Sequence, residues 1–355
     1  MKRPLKTVSL VLAVLMLAIG LVACGGNNAS QSTDSQSSSA ATETSSSAAS
    51  ETSSSASTAS TTSSDGAYKI GVIQLVEHGA LDAANKGFVD ALDESGINYE
   101  IDQQNAQGDQ SACQTIAAKL VGDQDDLILA IATPAAQAVA GATGDIPIVG
   151  TAITDFAGAG LATSNDAPGG NVTGSSDLTP VADQIKMLHT ILPEAKTVGI
   201  LYCSAEDNSD IQATLAEEAC ADLGLTAERY TVASSNEIQS VIESMVGKVD
   251  AIYAPTDNVI AAGMTTVAMV ADDSNIPVIC GEESMVENGG LCTYSIDYYE
   301  LGKLAGQMAV RILEGGEKPA DMPIEYYPSD KLEVSYDKAK AEALGIDASV
   351  WDTLG

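Results

Sequence analysis

Short, fully apolar runs alternate with amphipathic segments along this chain from Tyr68 almost to its C-terminus. The run Leu-Ile-Leu-Ala-Ile-Ala at residues 127–132 is the clearest, and residues 70–73 and 251–254 are similar. A strand that is apolar on both faces must be covered on both faces, which is typical of parallel sheets flanked by helices. The alternation therefore predicts an α/β fold with doubly wound parallel sheets and right-handed crossovers.

The pattern of strands and helices occurs twice, with a restart near residue 183. About 290 residues follow Tyr68, which is large for a single hydrophobic core, so two lobes are expected. The predicted strands lie at residues 69–74, 99–103, 127–132, 146–150 and 172–176 before the restart, and at 198–202, near 230, at 251–254 and at 277–280 after it.

The N-terminus is laid out like a secretory signal. Three basic residues in the first six positions precede an apolar run at residues 8–22, which is short for a membrane-spanning helix. The ending Leu-Val-Ala-Cys at residues 21–24 resembles a bacterial lipobox. That resemblance implies removal of residues 1–23 as a signal peptide and attachment of lipid to Cys24. A plain signal peptide with a chance cysteine and an N-terminal membrane helix are the alternatives.

A polar segment separates this signal from the rest of the chain. Residues 25–64 contain 24 Ser and Thr and almost no large apolar side chain, so they cannot bury enough surface to offset the entropy of ordering. Residues 24–66 are therefore predicted to form a lipidated, disordered stalk that reaches about 35 Å as a random coil. A protein tethered by Cys24 to the outer face of the cell membrane has no cytosolic ATP or NAD, which makes solute capture the function to test first.

Charge and cysteine usage exclude several classes of site. The net charge is −33, or −36 without the predicted signal, and phosphate contacts need clustered Lys and Arg, so no nucleic-acid partner is expected. Two histidines and no Cys-x-x-Cys pair argue against a structural zinc site. Residues 122–126 resemble a calcium loop without its downstream spacing, so a solvated turn is expected instead. The sequence does not decide whether Cys280 and Cys292 form a disulfide, since that requires their strands to be neighbours.

Polar residues collect where the predicted strands end, which is where open α/β sheets bind ligands. The helix start at Thr133-Pro134 is a candidate anion site, because N-terminal N–H groups and the hydroxyl can donate to a carboxylate; an ordinary cap is the alternative. Five aspartates can hold an ammonium, although each alone can be a cap or turn residue. Amides can orient the ligand, and His78 is either a contact or a loop residue. The predicted ligand-binding residues are Gln74, His78, Leu81, Asp82, Thr133, Pro134, Thr154, Asp155, Ser176, Asp177, Ser204, Asn208, Ser209, Thr256, Asp257, Asn258, Glu282 and Asp297.

This sequence offers little evidence of catalytic motifs. It has no Gly-x-Ser-x-Gly elbow and no Walker loop, and Gly158-Ala159-Gly160 lacks the third glycine of a dinucleotide fingerprint. An extracellular hydrolase would need a nucleophile beside a base, and only His78 or a carboxylate is available as that base. The sequence therefore predicts a binding protein without cofactor, metal or enzymatic activity.

Several blocks of residues in one order resemble the extracellular solute-binding lipoproteins of ABC importers with the type I fold. More narrowly, the chain is similar to the branch that includes tryptophan- and tyrosine-binding receptors. The blocks are residues 71–74 with His78 and 81–82, 108–110, 131–137, 153–155 and 171–174, and in the second half Tyr202, 206–209 and 257–258.

The resemblance implies two lobes, joined by three crossovers, that close over one ligand in the cleft between them. The chain would leave the first lobe, return to it and leave it again. The implied first lobe comprises residues 67–176 and 297–324, the second lobe comprises 177–296 and 325–355, and the crossovers lie near 176–177, 295–297 and 324–326.

The resemblance also implies a mechanism. A free amino acid, with an aromatic one favoured, binds with its carboxylate at Thr133 and its ammonium at Asp177, Asp257 or Asp297. The closed monomeric receptor then docks on a membrane permease, which works with its ATPase. A ligand sensor on the same fold is the alternative function, and branched or polar amino acids, nucleosides and short peptides are alternative ligands.

Two positions beside the implied pocket depart from the family pattern. Proline is frequent in the family where Gly79 and Phe156 stand in this chain. A phenylalanine at the cleft can stack on an aromatic ligand, or it can pack under its own loop. These departures leave the choice of ligand open.

Overall fold

The computed structural model describes residues 66–354. The predicted signal peptide, Cys24 and all but the last residue of the predicted stalk lie outside the described residues. The strands are β1 (Tyr68–Gln74), β2 (Tyr99–Asn105), β3 (Leu127–Ile131), β4 (Ile148–Ile153), β5 (Val172–Ser176), β6 (Thr197–Cys203), β7 (Thr226–Val232), β8 (Ala251–Ala254), β9 (Val278–Cys280), β10 (Cys292–Ser295), β11 (Glu325–Tyr326) and β12 (Glu333–Tyr336).

Helices connect these strands and cover both faces of each sheet. They are α1 (Gly79–Ser95), α2 (Gln110–Gly122), α3 (Thr133–Ala142), α4 (Val181–Ile191), α5 (Asp207–Asp222), α6 (Ile238–Met245), α7 (Asn258–Ala262), α8 (Met264–Asp273), α9 (Glu283–Glu287), α10 (Tyr298–Leu313) and α11 (Lys338–Ala343).

The strands form two separate sheets, and each sheet is the centre of one lobe. The first sheet has the spatial order β11-β5-β4-β3-β1-β2 and is parallel throughout. The second has the order β12-β10-β9-β8-β6-β7, with only β12 antiparallel. In both, the central strands are buried on both faces, as the apolar runs of the sequence predict. The prediction of two doubly wound α/β lobes is confirmed.

Local signals place several helices where the sequence predicts them. Asp109 caps α2, because its carboxylate accepts hydrogen bonds from the backbone N–H groups of Ser111 and Ala112. Asp257 caps α7 in the same way, through the N–H of Ile260. The carboxyl groups at strand ends therefore also start helices, and this fixes the loops around the cleft.

Three crossovers join the lobes. The chain leaves the first lobe after Ser176, returns to it between Ser295 and Tyr298, and leaves it again after Tyr326. The last position corrects the expected boundary at residues 324/325, because β11 pairs with β5 in the first sheet. A two-residue strand, Glu-Tyr, carries no apolar run that the sequence pattern can detect.

The position of β4 also differs from the prediction. The predicted strand covers residues 146–150, whereas the observed strand begins at Ile148 and continues to Ile153. Its register against β5 shifts between Gly150 and Ile153, and Ala152 in that stretch has a φ of 54°. A positive φ is unfavourable for alanine. A strand that continues through Ala152 is therefore not expected from the sequence.

The first lobe is held together by close packing of α1 against α10, which glycine makes possible. A Cβ at Gly302 would lie 1.9 Å from the carbonyl oxygen of Ala84, and one at Gly87 would lie 2.0 Å from that of Tyr299. Both obstacles are backbone atoms, which cannot move without separating the helices. The return of the chain to the first lobe therefore depends on the absence of side chains at these two positions.

We expect Gly302→Ala to lower the free energy of unfolding by about 2 kcal/mol or more, because overpacking forces the backbone apart. For a chain of this size that is a fall of about 4 °C or more in the midpoint of thermal unfolding. Gly122→Ala is the matched control, since nothing lies within 4 Å of its added Cβ, and alanine is the better helix former. Equal midpoints for Gly302→Ala and the wild type would contradict this account of the packing.

Candidate functional site

A small cavity lies between the lobes, where the carboxyl ends of strands from both sheets approach one another. The space between its lining atoms, counted together with the part that opens to solvent, is about 250 Å³. This position agrees with the rule for ligand sites in open α/β sheets. The lining residues are His78, Leu81, Ala152, Asp177, Thr256, Asp257, Asn258, Ala261, Glu282 and Tyr298. Seven of the residues predicted from the sequence are thus brought together, from both lobes and from a crossover.

Acidic side chains dominate the electrostatics of this cavity. Asp177, Asp257 and Glu282 line it and Glu206 lies behind Asp257; each is at most 4% exposed. Among the described residues no Lys or Arg is buried to that degree. Burial raises the pKa of Asp177 to about 6 and that of Glu282 to about 7. The cavity therefore lacks a protein cation that would balance these groups.

Asp177 connects two of the crossovers. Its Oδ2 accepts a hydrogen bond of 2.9 Å from the hydroxyl of Tyr298, and its Oδ1 accepts one of 3.2 Å from the hydroxyl of Thr154. Asp177 follows β5 on the way to the second lobe, whereas Tyr298 opens α10 on the way back. A carboxylate at the cavity wall is thus held by the segments about which the lobes must move.

Glu206 and Asp257 form a buried pair of acids in the second lobe. Glu206 accepts hydrogen bonds from the backbone N–H groups of Asn258 and Val259 and, at 2.6 Å, from the Asn258 side-chain amide. Asp257 accepts from the N–H of Cys203 at 2.6 Å and from the hydroxyl of Ser209 at 2.7 Å. Burial raises the pKa of both groups, and the Asp257 charge raises that of Glu206 further.

Three buried polar atoms near the cleft have no hydrogen-bond partner within residues 66–354. They are Nδ1 of His78, the hydroxyl of Thr133 and Oδ1 of Asn208. Buried polar groups are rarely left unpaired, because each costs about 1–3 kcal/mol. Of the three residues, His78 lines the cavity, so its unpaired atom favours a site that is completed by a ligand.

The alternative interpretation of Thr133, as an ordinary helix cap, does not hold. The cap position of α3 is occupied by Ala132, and no side chain caps the helix. Ala132 has a φ of 81°, which is unfavourable for alanine. The hydroxyl of Thr133 is therefore free to donate, and the backbone strain lies at the edge of the cleft, as strain at functional sites commonly does.

Hydrogen bonds across the cleft hold the two lobes against each other. Nε2 of His78 lies 3.2 Å from Oδ1 of Asn258. The side-chain amide of Gln137 on α3 donates to Asp207 on α5 at 2.8 Å, and that of Gln110 donates to the carbonyl oxygen of Ala205 at 2.6 Å. These bonds require the lobes to be close, so the described conformation is a closed one.

Several predicted site residues lie outside the cavity. Gln74 at the end of β1 donates to Asp82 in the first turn of α1 at 2.6 Å, and Asp82 is exposed. Asp155 accepts from Ala157 and Asn165 within its own loop. The structure thus assigns these carboxylates to turns rather than to a ligand ammonium.

The remaining predicted residues support the cavity from outside or face the solvent. Thr154, Ser176 and Ser209 donate hydrogen bonds to Asp177, to the Thr154 carbonyl and to Asp257, respectively. Pro134 lines a separate groove between the lobes. Ser204 is exposed.

The structure corrects the role predicted for Asp297 and decides between the two interpretations of Phe156. Asp297 is exposed and caps α10 through the N–H groups of Tyr299 and Glu300, so it is not available in the cavity for an ammonium. Phe156 is fully buried and packs beside Gly150 of β4, not against the cavity. Of its two interpretations, packing under its own loop is therefore the one that the structure supports.

Sequence reasoning missed three residues that matter at this site. Glu206, Tyr298 and Gln212 contact the lining side chains, and Gln212 reaches both Thr256 at 2.6 Å and Thr154 at 3.3 Å. Glu206 stands within a block quoted for the family resemblance, which was the available signal. Tyr298 and Gln212 lie inside helical patterns, where a buried polar group looks like any other helix residue.

Two further observations concern the described residues alone. Cys280 and Cys292 lie on neighbouring strands, and both thiols are buried and unpaired. Within residues 66–354, no set of three or more His, Cys, Asp and Glu side chains is arranged to hold a metal ion, and no helix has the length and apolar character needed to cross a membrane.

Comparison with known proteins gives a consistent result. Residues 69–350 match a family model described as ABC transporter substrate-binding protein. A tyrosine-binding protein of Clostridioides difficile is 42% identical over 276 residues, which are 77% of this chain and 80% of that protein.

Two solved structures are similar at almost the same identity. A domain from Streptococcus pneumonia in complex with L-Trp is 42% identical, with a TM-score of 0.78, covering 81% of this chain and 98% of that one. A ligand-free, open substrate-binding protein from Clostridium difficile is 43% identical, with a TM-score of 0.61, covering 79% and 95%. The lower score against the open protein agrees with the bonds that close the lobes here.

The buried carboxyl groups predict how stability depends on pH. The native protein keeps a proton on Asp177 up to about pH 6, whereas the unfolded chain loses it near pH 4. The native state therefore binds more protons in this window, and the contribution of Asp177 to stability falls as pH rises through it.

We therefore expect the unfolding midpoint of Asp177→Asn, relative to the wild type, to rise between pH 4.5 and pH 7 in thermal melts of the ligand-free protein. Asp145→Asn removes an exposed carboxyl and provides the control. A difference that stays constant over this range would show that Asp177 is ionised throughout.

Proposed function

Because this chain belongs to the ABC transporter substrate-binding protein family, we propose that it captures a free aromatic amino acid between its lobes and delivers it to a membrane permease. It is the substrate-binding component of an ABC transporter, and the proposal concerns the ligand and the residues that hold it. The single observation that carries this proposal is the set of buried carboxyl groups around a cavity without a protein cation.

An ammonium group is the ligand chemistry that such a cavity favours. A cation brought by the ligand offsets the cost of burying ionised carboxylates, which no Lys or Arg offsets in its absence. Asp177, Asp257 and Glu282 line the cavity and are the candidates for this contact. We assign this role to Glu282 instead of Asp297, because Glu282 lines the cavity.

The ligand's carboxylate must be received by neutral donors, since buried protein cations are absent among the described residues. The unpartnered hydroxyl of Thr133 stands at the start of α3, where first-turn N–H groups and the helix dipole favour an anion. The aromatic side chain is supported by relatives of about 42% identity, one named for tyrosine and one solved with L-Trp. Leu81, Ala152, Ala261 and the ring of Tyr298 supply apolar surface for it.

Closure of the lobes would follow from binding. The contacts between His78 and Asn258 and between Gln137 and Asp207 exist only when the lobes are close. A ligand that touches both lobes adds to these contacts and shifts the population towards the closed form. The permease would then recognise the closed receptor.

We expect Trp or Tyr to stabilise a chain of residues 66–355 against thermal unfolding. A ligand at one hundred times its dissociation constant adds about 2.7 kcal/mol. The measurement is a thermal shift against the twenty amino acids, nucleosides and short peptides, after refolding to remove co-purified ligand. Asp257→Ala should abolish the shift, whereas Asp297→Ala, which removes an exposed cap, should retain it.

The outcomes of this panel separate the alternatives. A shift with a nucleoside, a peptide or a non-aromatic amino acid alone would keep the receptor and overturn the aromatic ligand. Chemical conversion of an added compound would indicate an enzyme. A sensor would bind the same ligand, so deletion of the permease and measurement of ligand uptake distinguish transport from sensing.

We further propose that the mature protein is anchored by lipid on Cys24 to the outer face of the cell membrane. The segment at residues 21–24 and the polar stretch at 25–64 support this arrangement. Lipid attachment would keep the lobes close to the membrane that contains the permease.

We expect Cys24→Ala to abolish incorporation of labelled palmitate and to release the protein into the medium. Cys113→Ala is the control, because Cys113 is buried in the first lobe and is no candidate for lipid. A Cys24→Ala protein that stays in the membrane fraction would instead indicate an uncleaved N-terminal helix.

A further inference from the structure

We propose that His78 selects the ligand by accepting, at its Nδ1, a hydrogen bond from an N–H or O–H group on the ligand's aromatic ring. This inference rests on the proposed function and deepens it. It specifies which ligands the site prefers: those whose aromatic ring carries a hydrogen-bond donor, such as indole or phenol, over those with a plain phenyl ring.

The first step fixes the orientation of the Asn258 side chain. Both oxygens of Glu206 already accept backbone N–H groups, from Asn258 and Val259. The Asn258 amide nitrogen lies 2.6 Å from one of these oxygens, Oε2, and donates to it. Its oxygen is consequently turned towards the first lobe.

The second step fixes the protonation of His78. The Asn258 oxygen lies 3.2 Å from Nε2 of His78 and can only accept, so Nε2 carries the hydrogen. Burial lowers the pKa of His78, which keeps the imidazole neutral. A neutral ring with its hydrogen on Nε2 has a bare lone pair at Nδ1.

The third step concerns what Nδ1 meets. His78 lines the cavity, and its Nδ1 is buried without any hydrogen-bond partner among the described residues. A buried acceptor without a donor is costly, and a ligand that supplies the donor removes that cost. A ligand that fits the cavity but lacks the donor leaves the cost in place, which is how a polar site discriminates strongly.

The ammonium of the ligand is a second group that could donate a hydrogen bond to Nδ1 of His78. The carboxyl groups of Asp177, Asp257 and Glu282 surround the same cavity and attract a cation more strongly than a neutral imidazole does. Because the ammonium has these partners, Nδ1 is left for the ring.

The experiment compares matched ligands by isothermal titration. Tryptophan is paired with 3-benzothienylalanine, in which sulfur replaces the indole N–H with little change in shape, and tyrosine is paired with phenylalanine. We expect each ligand with a ring donor to bind the wild type about 10- to 100-fold more tightly than its partner.

The variant His78→Leu should bring each pair to within about threefold, whatever it does to affinity as a whole. The matched control is His189→Leu, which removes the chain's other histidine; its Nδ1 is likewise buried and unpartnered, but it lies on α4 away from the cavity. It should keep the wild-type ratios. The affinity ratios of the matched ligands are measured on the wild-type protein. They test the inference even if His78→Leu folds poorly.

Two outcomes overturn the inference while leaving the proposed function intact. One is binding of tryptophan and its sulfur analogue with equal affinity by the wild type. The other is an unchanged ratio in a folded His78→Leu variant. Failure of all aromatic amino acids to bind would instead overturn the proposed function, and the role of His78 with it.

Discussion

The burial of carboxyl groups without a matching cation is the constraint on which the rest of this molecule depends. Asp177, Glu206, Asp257 and Glu282 are nearly inaccessible to solvent, and ionised carboxylates in such surroundings are expensive. Hydrogen bonds from backbone N–H groups, hydroxyls and amides offset part of that cost, and protonation offsets more. A cationic ligand would remove the remainder, so the features that destabilise the free protein would be those that favour the bound one.

The fold creates this situation by making the cleft from loops and keeping stability elsewhere. Each lobe has its own core of apolar strands and helix faces, and the close α1–α10 contact at Gly302 lies within the first lobe. The cavity instead takes residues from strand ends and from the first two crossovers, where Asp177 meets Tyr298. Movement of the lobes therefore rearranges the site, which is the requirement for a receptor that opens and closes.

Much of the fold could be predicted, because apolar runs such as Leu127–Ile131 and caps such as Asp109 act locally. The two-residue strand β11 could not, since nothing local distinguishes it. The site was predicted only as a set of strand ends. Which of these face the cavity depends on long-range contacts: Asp297 and Asp155 are turned towards their own loops, whereas Glu206 is turned inward by two backbone N–H groups more than 50 residues away.

Backbone strain at the cleft adds a second cost of the same kind. Ala132 and Ala152 hold positive φ values at the end of β3 and within β4, where glycine would be easier. Ala132 occupies the cap position of α3, so its conformation sets the direction in which the hydroxyl of Thr133 and the first turn of the helix point. Ala152 lines the cavity with its methyl group. Glycine at either position would relieve the strain. It would also increase the conformational freedom that the unfolded chain loses on folding and that the ligand-free cleft loses on binding. In the proposed arrangement, the strained alanines would fix the donors at one end of the site before the ligand binds, and the buried carboxyl groups would receive its ammonium at the other end.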